Sequence, residues 1–278
     1  MFSIIIPTWN NLEMLKLCVE SIRQNSTFQH QIVLHINEGA DGTPKWADTE
    51  GVVYTASPTN IGICHAVNLA FGKCEKDYIV YLNDDMYVLP EWDKYLVDEI
   101  QNMDNQYFML SATMIEPRET TDKNIIVANY GHDVDVFQKD KLLAEFHTYT
   151  LPNWSGASWP PLVMSRETWL AVGGFSIEFS PGMYSDPDLS MKLWLIGCRI
   201  FKGIGASRVY HFQAKSTGRI KKNNGRLQFM QKWGIPASFF YNNYLKMGEP
   251  YAGELSEPPL NFDFKWAKLK ARFNGFLK

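Results

Sequence analysis

Over its first 115 residues the chain alternates short β-branched runs with stretches whose apolar residues recur at helical spacing. This alternation constrains the fold more than any other feature. Phe2–Ile6 reads as a buried parallel strand that Pro7 stops. Asn10 or Asn11 is placed to cap a helix carrying Leu12, Leu15, Val19 and Ile22 on one face. Gln31–Ile36 and Gly51–Ala56 follow as strands, then a helix over Gly62–Phe71 with Ala66, Leu69 and Ala70 inward. Tyr78–Leu82 is a fourth strand. Pro90 suits the first turn of a helix holding Trp92, Tyr95, Leu96 and Ile100, and Tyr107–Ile115 is a fifth strand. Strands that alternate with helices build a mostly parallel α/β sheet covered on both faces. Such sheets bind ligands at the carboxyl ends of their strands. The residues to watch are therefore Thr8 and Trp9, Asn37 and Glu38, Ser57 to Asn60, and Asn83 to Asp85.

Beyond Ile115 the rhythm breaks. Glu116–Leu151 is polar and predicts loops and short antiparallel strands. Asn153–Pro161 is a Gly/Pro/Trp loop, Leu162–Ser165 a strand, and Glu167–Val172 a helix ended by Gly173-Gly174. Asp186 stands at the expected N-cap of a further helix. Arg199–Lys202 and Arg208–Phe212 are strand candidates, and helices are expected near Gly225–Trp233 and Pro236–Lys246, before a linker over Gly248–Pro259. With 45% hydrophobic and 21% charged residues, the composition excludes a disordered, collagen-like or coiled-coil chain. A net charge of −3 argues against nucleic acid as a partner drawn by bulk charge. Cys18, Cys64, Cys74 and Cys198 show no zinc spacing and read as free thiols in a reducing compartment. No apolar run has the length of a membrane span, and Met1–Ile6 lacks the basic flank of a signal peptide. A cytoplasmic location is expected.

Five features could carry chemistry. Asn83-Asp84-Asp85 follows an apolar strand, and adjacent carboxylates there repel unless a divalent cation bridges them to phosphate; a solvated acidic turn is the plainer alternative. Asp186 at a helix start satisfies orphan amides, yet a carboxylate on so rigid a mount can also serve as a general base. His211 ends another apolar run and could be a packed core residue, but Lys215, Ser216 and Arg219 nearby could neutralise phosphate. Glu38 and Asp41 flank Gly39, where a loop acid could accept a hydrogen bond from a nucleoside or simply build a turn. Gly62, after Asn60, could let backbone approach phosphate.

Taken together and in order, these segments resemble the family 2 glycosyltransferases with their GT-A fold. Ile4-Ile5-Ile6-Pro7-Thr8-Trp9-Asn10 is similar to the family's opening strand and turn, and Asn37-Glu38-Gly39-Ala40-Asp41-Gly42-Thr43 to its Asp-Asp-Gly-Ser segment. Asn60-Ile61-Gly62 with Ala66 and Asn68 is similar to the next nucleotide-side motif, and Asn83-Asp84-Asp85 stands where the metal-binding DxD does. Gly173-Gly174-Phe175 followed by Asp186-Pro187-Asp188-Leu189 resembles the acceptor-side signature. The resemblance covers residues 2–212. It implies a Rossmann-like GT-A sheet whose residues 1–115 form a nucleotide-sugar-binding half and residues 116–222 an acceptor-binding, catalytic half, with 223–278 a C-terminal helical extension.

By that resemblance Thr8, Glu38, Asn60, Gly62 and Asp84 would bind the donor. Asp85 and His211 would hold Mn2+ or Mg2+, Asp186 would be the base, and Trp154 and Trp159 would shape the acceptor pocket. The implied reaction is an inverting, metal-assisted transfer from a nucleoside-diphosphate sugar, uridine-linked at the family level, to a glycan or lipid-linked hydroxyl. Three departures are visible: Asn37 and Glu38 in place of two aspartates, Asn83 in place of the first DxD acid, and Ser185 in place of a glutamate. They keep open a non-catalytic sugar-nucleotide or glycan-binding module. A sugar nucleotidyltransferase is disfavoured, because Pro7–Asn11 contains no glycine-rich phosphate loop.

The tail carries a separate signal. Lys265–Lys278 holds five basic residues and no acid, which leaves −8 on the rest of a chain of net charge −3. Trp266, Leu269, Phe273, Phe276 and Leu277 fall on one helical face. Such a basic amphipathic helix can lie on an anionic membrane, making the enzyme peripheral there, or dock on its own domain or a partner.

Overall fold

A computed structural model describes residues 1–213 and 221–276, the side chains of 274–276 excepted. Ten strands form one sheet: β1 (Phe2–Trp9), β2 (Gln31–Asn37), β3 (Val53–Ser57), β4 (Tyr78–Tyr81), β5 (Met86–Val88), β6 (Phe108–Glu116), β7 (Ile125–Val127), β8 (Trp154–Ser155), β9 (Leu162–Ser165) and β10 (Ile200–His211). The order is β3-β2-β1-β4-β9-β6-β10-β5, with β7 beside β6 and β8 beside β10. β3, β2, β1 and β4 run parallel, as do β6 and β10, while β9 lies antiparallel between β4 and β6. β5 is antiparallel to β10. The strand order reverses beside β1, which opens a crevice at the carboxyl ends of β1 and β4.

Helices cover both faces. They are α1 (Leu12–Asn25), α2 (Thr43–Thr49), α3 (Gly62–Phe71), α4 (Trp92–Gln101), α5 (Lys139–Glu145), α6 (Arg166–Val172), α7 (Ser185–Leu195), α8 (Gly225–Trp233), α9 (Ala237–Phe239) and α10 (Phe262–Phe276). The period-2 alternation of β1 sends Ile4 and Ile6 into the core with α1 and α4, and Ile5 into the core with α3 and α7. Phe229, Ile235, Phe240, Leu245 and Leu255 join that second core, so the chain after residue 223 packs on the sheet's helical layer.

Several expectations need correction. Pro7 does not stop β1, which continues to Trp9. Ile5 accepts from Leu82 N on the β4 side, and two residues on, Pro7 faces the same side where β4 has already ended, so its missing N–H costs no ladder bond. Leu69 is exposed; the buried face of α3 is Cys64, Ala66, Val67, Ala70 and Phe71. In the polar region, β7 pairs in parallel rather than antiparallel, and α5 was not foreseen. The two late strand candidates are one strand, β10, with a bulge between Ile204 and Arg208. Asp186 is not the cap of α7; Tyr184 is, and Asp186 lies in the first turn. The four cysteines are free and buried, as expected. No helix among the described residues is long and apolar enough to cross a membrane.

Candidate active site

The crevice edge is laid out by polar side chains that also hold the strand ends together. At the end of β1, Thr8 Oγ1 donates to Asp84 Oδ2 at 2.7 Å. Asn37, ending β2, donates to Thr8 O (3.3 Å), while its Oδ1 accepts from Ile61 N (2.9 Å) and Ser57 Oγ (3.2 Å). The asparagine that departs from the family pattern is thus a buried clamp between three strands and the start of α3. Glu38 is exposed beside it and accepts from Asn10 Nδ2 at 3.0 Å. Asp41 proves structural: one carboxylate oxygen caps α1 at Leu12 N (2.8 Å) and the other caps α2 at Thr43 (3.1 Å to N). Asn60 Oδ1 accepts from Gly62 N at 2.9 Å. Gly62 has φ +76°, and a Cβ there would meet Ser180 Oγ at 2.5 Å and Pro181 Cα at 2.6 Å. Its freedom is therefore used by the chain that leads into α7, which bonds back through Pro181 O to Ile63 N (2.9 Å).

Asp85 and His211 meet because β5 pairs with β10. Met86 is the partner of His211 in the ladder, and Phe212 N donates to Asp85 O at 3.0 Å. His211 Nε2 then lies 3.4 Å from Asp85 Oδ1, while Nδ1 lies 2.7 Å from Glu116 Oε1. Gln213 Nε2 holds the other Glu116 oxygen at 2.5 Å. Burial works against the proton on His211, but Asp85 and Glu116 outweigh it and push its pKa up to about 10. Two carboxylates crowd one imidazole here and attract positive charge. Among the described residues no three acidic, imidazole or thiol groups cage an ion. Asp85 and His211 nonetheless fit a hard divalent cation that takes its remaining ligands from a bound phosphate. Glu116 went unnoticed in the sequence, although it ends an apolar strand at the same edge as the other site residues. Lys215, Ser216 and Arg219 lie outside the described residues.

Asp186 faces the same space from the other side. A cleft of about 450 Å³ is lined by Asn83, Glu116, Arg118, Trp159, Asp186 and His211, among others. Burial pushes the Asp186 carboxyl up from 3.8 to about 7, with the Ser185 hydroxyl lowering it in part. Its mount is rigid: Tyr184, at φ +70°, turns the chain into α7. Asp188, two residues on, is fully buried and accepts from Trp233 Nε1 and Lys232 Nζ, both at 2.9 Å, so it ties α7 to α8. Trp159 donates its indole N–H to Tyr241 OH at 3.2 Å. Burial and the nearby Asp186 charge raise the Tyr241 phenol. Tyr241 sits in a π-turn over Phe240–Tyr244, and no periodicity in the sequence marks it. Trp154, expected in the acceptor pocket, is instead a core residue: it is 4% exposed, its indole donates to Thr113 Oγ1 (3.1 Å), and its ring covers Gly203, where an added Cβ would clash.

An open α/β sheet with carboxylates at the strand ends, and a further acid lining the cleft beside them, is an arrangement that can bind a ligand and take a proton from it. The comparisons with known proteins add the family. Residues 3–152 match the family model "Glycosyl transferase family 2", more than half of the chain, and the chain belongs to that family. Its fold is the GT-A fold of its solved structural neighbours. The O-antigen biosynthesis protein RfbC of Myxococcus xanthus is 23% identical over 225 residues, covering 76% of this chain and 17% of that protein. Among solved structures, TarS 1–349 of S. aureus in complex with UDP-GlcNAc matches with TM-score 0.59 at 15% identity, over 84% of this chain and 65% of that one. GalNAc-T7 with UDP, GalNAc and Mn2+ matches with TM-score 0.61 at 14% identity, over 87% and 50%. The chain therefore spans under a fifth of the curated relative and about half to two thirds of these structures.

Proposed function

We propose that the chain transfers a sugar from a nucleoside-diphosphate donor, UDP-linked, to a hydroxyl of a glycan or lipid-linked acceptor with inversion at the anomeric carbon. The observation that carries this reading is that Asp186 shares one cleft with Asn83, Glu116 and His211, and His211 in turn touches Asp85. The complexes of TarS with UDP-GlcNAc and of GalNAc-T7 with UDP support the donor class, and the name of the O-antigen relative supports a polysaccharide product.

Thr8, Glu38, Asn60, Gly62 and Asp84 would receive the nucleoside and its ribose. Asp85 and His211 would hold Mn2+ or Mg2+, which supplies positive charge to the leaving diphosphate. Asp186 takes the acceptor's proton while the acceptor oxygen bonds to the anomeric carbon and the bond to the diphosphate oxygen breaks on the opposite face. Trp159 gives the acceptor an apolar wall, with Tyr241 fixing its indole. A positioned base contributes about 10²–10⁴-fold. Release of nucleoside diphosphate from a panel of sugar nucleotides, with acceptor, should therefore fall by that factor in Asp186→Asn while donor binding persists. Wild-type rates in that variant would remove Asp186 as the base.

A further inference from the structure

The last helix is docked on the domain by its alanines and Phe264, and its other large apolar residues point elsewhere. Ala267 and Ala271 are buried, and Phe264 rests against Phe239 with ring centroids 6.1 Å apart. Phe262 (77% exposed), Trp266 (57%), Leu269 (42%) and Phe273 (64%) all face away. At 3.6 residues per turn these four lie within about 60° of one another, roughly opposite the two alanines. Lys265 and Arg272 border the stripe on one side and Lys270 on the other, all exposed, and Asp263 is the one acid in the helix. The expected amphipathic face is thus present up to Phe273. The Phe276 side chain, Leu277 and Lys278 lie outside what is described.

We propose that α10 is a membrane-surface helix whose outward face enters the headgroup region of an anionic bilayer while its alanine side stays on the domain. An exposed apolar stripe with Lys265 and Arg272 along one edge and Lys270, next to Asp263, along the other is matched to a surface that offers hydrocarbon below and phosphate above. Charge segregation favours this occupant. Residues 265–278 carry five positive charges while the rest of the chain carries −8, so positive charge is concentrated in this segment. A second copy of the chain would set basic edge against basic edge. Protein interfaces also deplete lysine at their centres, whereas here lysine adjoins the stripe. The helix would then hold the active-site cleft at a fixed distance from the bilayer, which suits a lipid-linked acceptor.

Vesicle flotation of the full chain tests this without any sugar donor, so its failure leaves the assignment of sugar transfer untouched. Vesicles of phosphatidylcholine with 30% phosphatidylglycerol should carry the protein, and phosphatidylcholine alone should carry little of it. Lys265→Gln with Lys270→Gln should weaken partitioning by roughly thirtyfold, and 1 M salt should do the same to wild type. Trp266→Ser with Phe273→Ser should weaken it by tenfold or more without altering the thermal melt, since both side chains are exposed. Wild-type protein that stays with the aqueous phase, or either double variant floating as well as wild type, overturns the proposal. Self-association abolished by the Trp266/Phe273 variant, with no vesicle binding, would instead assign the face to a protein contact.

Discussion

The acid limb of the pH profile tests the base most sharply. Asp186 is held at about 7 by burial, and a general base works only as the carboxylate. At pH 8 roughly 90% of it is ionised and at pH 5 roughly 1%, so kcat/KM for transfer should fall about ninetyfold between them. A carboxyl at the ordinary 3.8 would leave the profile nearly flat over the same range. The ionisable groups that feel Asp186 do not cross this window: burial pushes Cys64 up to about 12, and burial raises the Tyr81 and Tyr241 phenols as well. The assay is initial nucleoside diphosphate release at substrate well below KM from pH 5 to 8.5. Calorimetric donor binding at both ends separates loss of the base from loss of the donor. A thermodynamic companion has a fixed sign. The folded state keeps a proton on Asp186 that the unfolded chain releases, so this group's contribution is intact below about 4 and lost as pH rises through about 7. Asp186→Asn should therefore be more stable than wild type at pH 8, by at most about 4 kcal/mol, by less than about 2 kcal/mol at pH 5, and hardly at all below about pH 4. A flat rate profile with donor binding unchanged, or an equal limb in the residual activity of the asparagine variant, refutes the reasoning.

Two further pairs of substitutions separate core from cleft and ligand from support. Trp154→Ala should cost about 3–5 kcal/mol in denaturant unfolding, because it empties a buried site over Gly203, whereas Trp159→Ala, at a half-buried position, should cost less and raise the acceptor KM. Glu116→Ala should weaken Mn2+ affinity by about 10–100-fold in calorimetry with UDP present, by freeing the His211 ring, and Glu116→Gln should recover part of that loss.

What could be read in advance divides along physical lines. The parallel half was legible because its strands are buried on both faces and its helices repeat apolar residues at fixed spacing; α3 was found residue for residue. Asp85 and His211 could be named because each follows an apolar run at the edge where such sheets bind ligands, and Asp186 because it stands at the start of a helix. Their convergence could not be derived from spacing, since it depends on β5 turning back along β10 and on a bulge that carries β10 past β6. Trp154 was misread for a related reason: a tryptophan in a Gly/Pro loop has the same local signature whether its ring meets solvent or a glycine on the neighbouring strand, and Gly203 decides it. Tyr241 was beyond reach altogether. It belongs to the region expected as a separate helical extension, yet its hydroxyl meets Trp159 and its ring plane feels Asp186, while Phe240 beside it is part of the core under the catalytic helix. A π-turn allows one short segment to bury Phe240 and still bring the Tyr241 hydroxyl to the Trp159 indole. The C-terminal segment therefore stands behind the cleft: it holds Trp159, which lines it, and packs in the same core cluster as Leu189 of α7, the helix that carries Asp186.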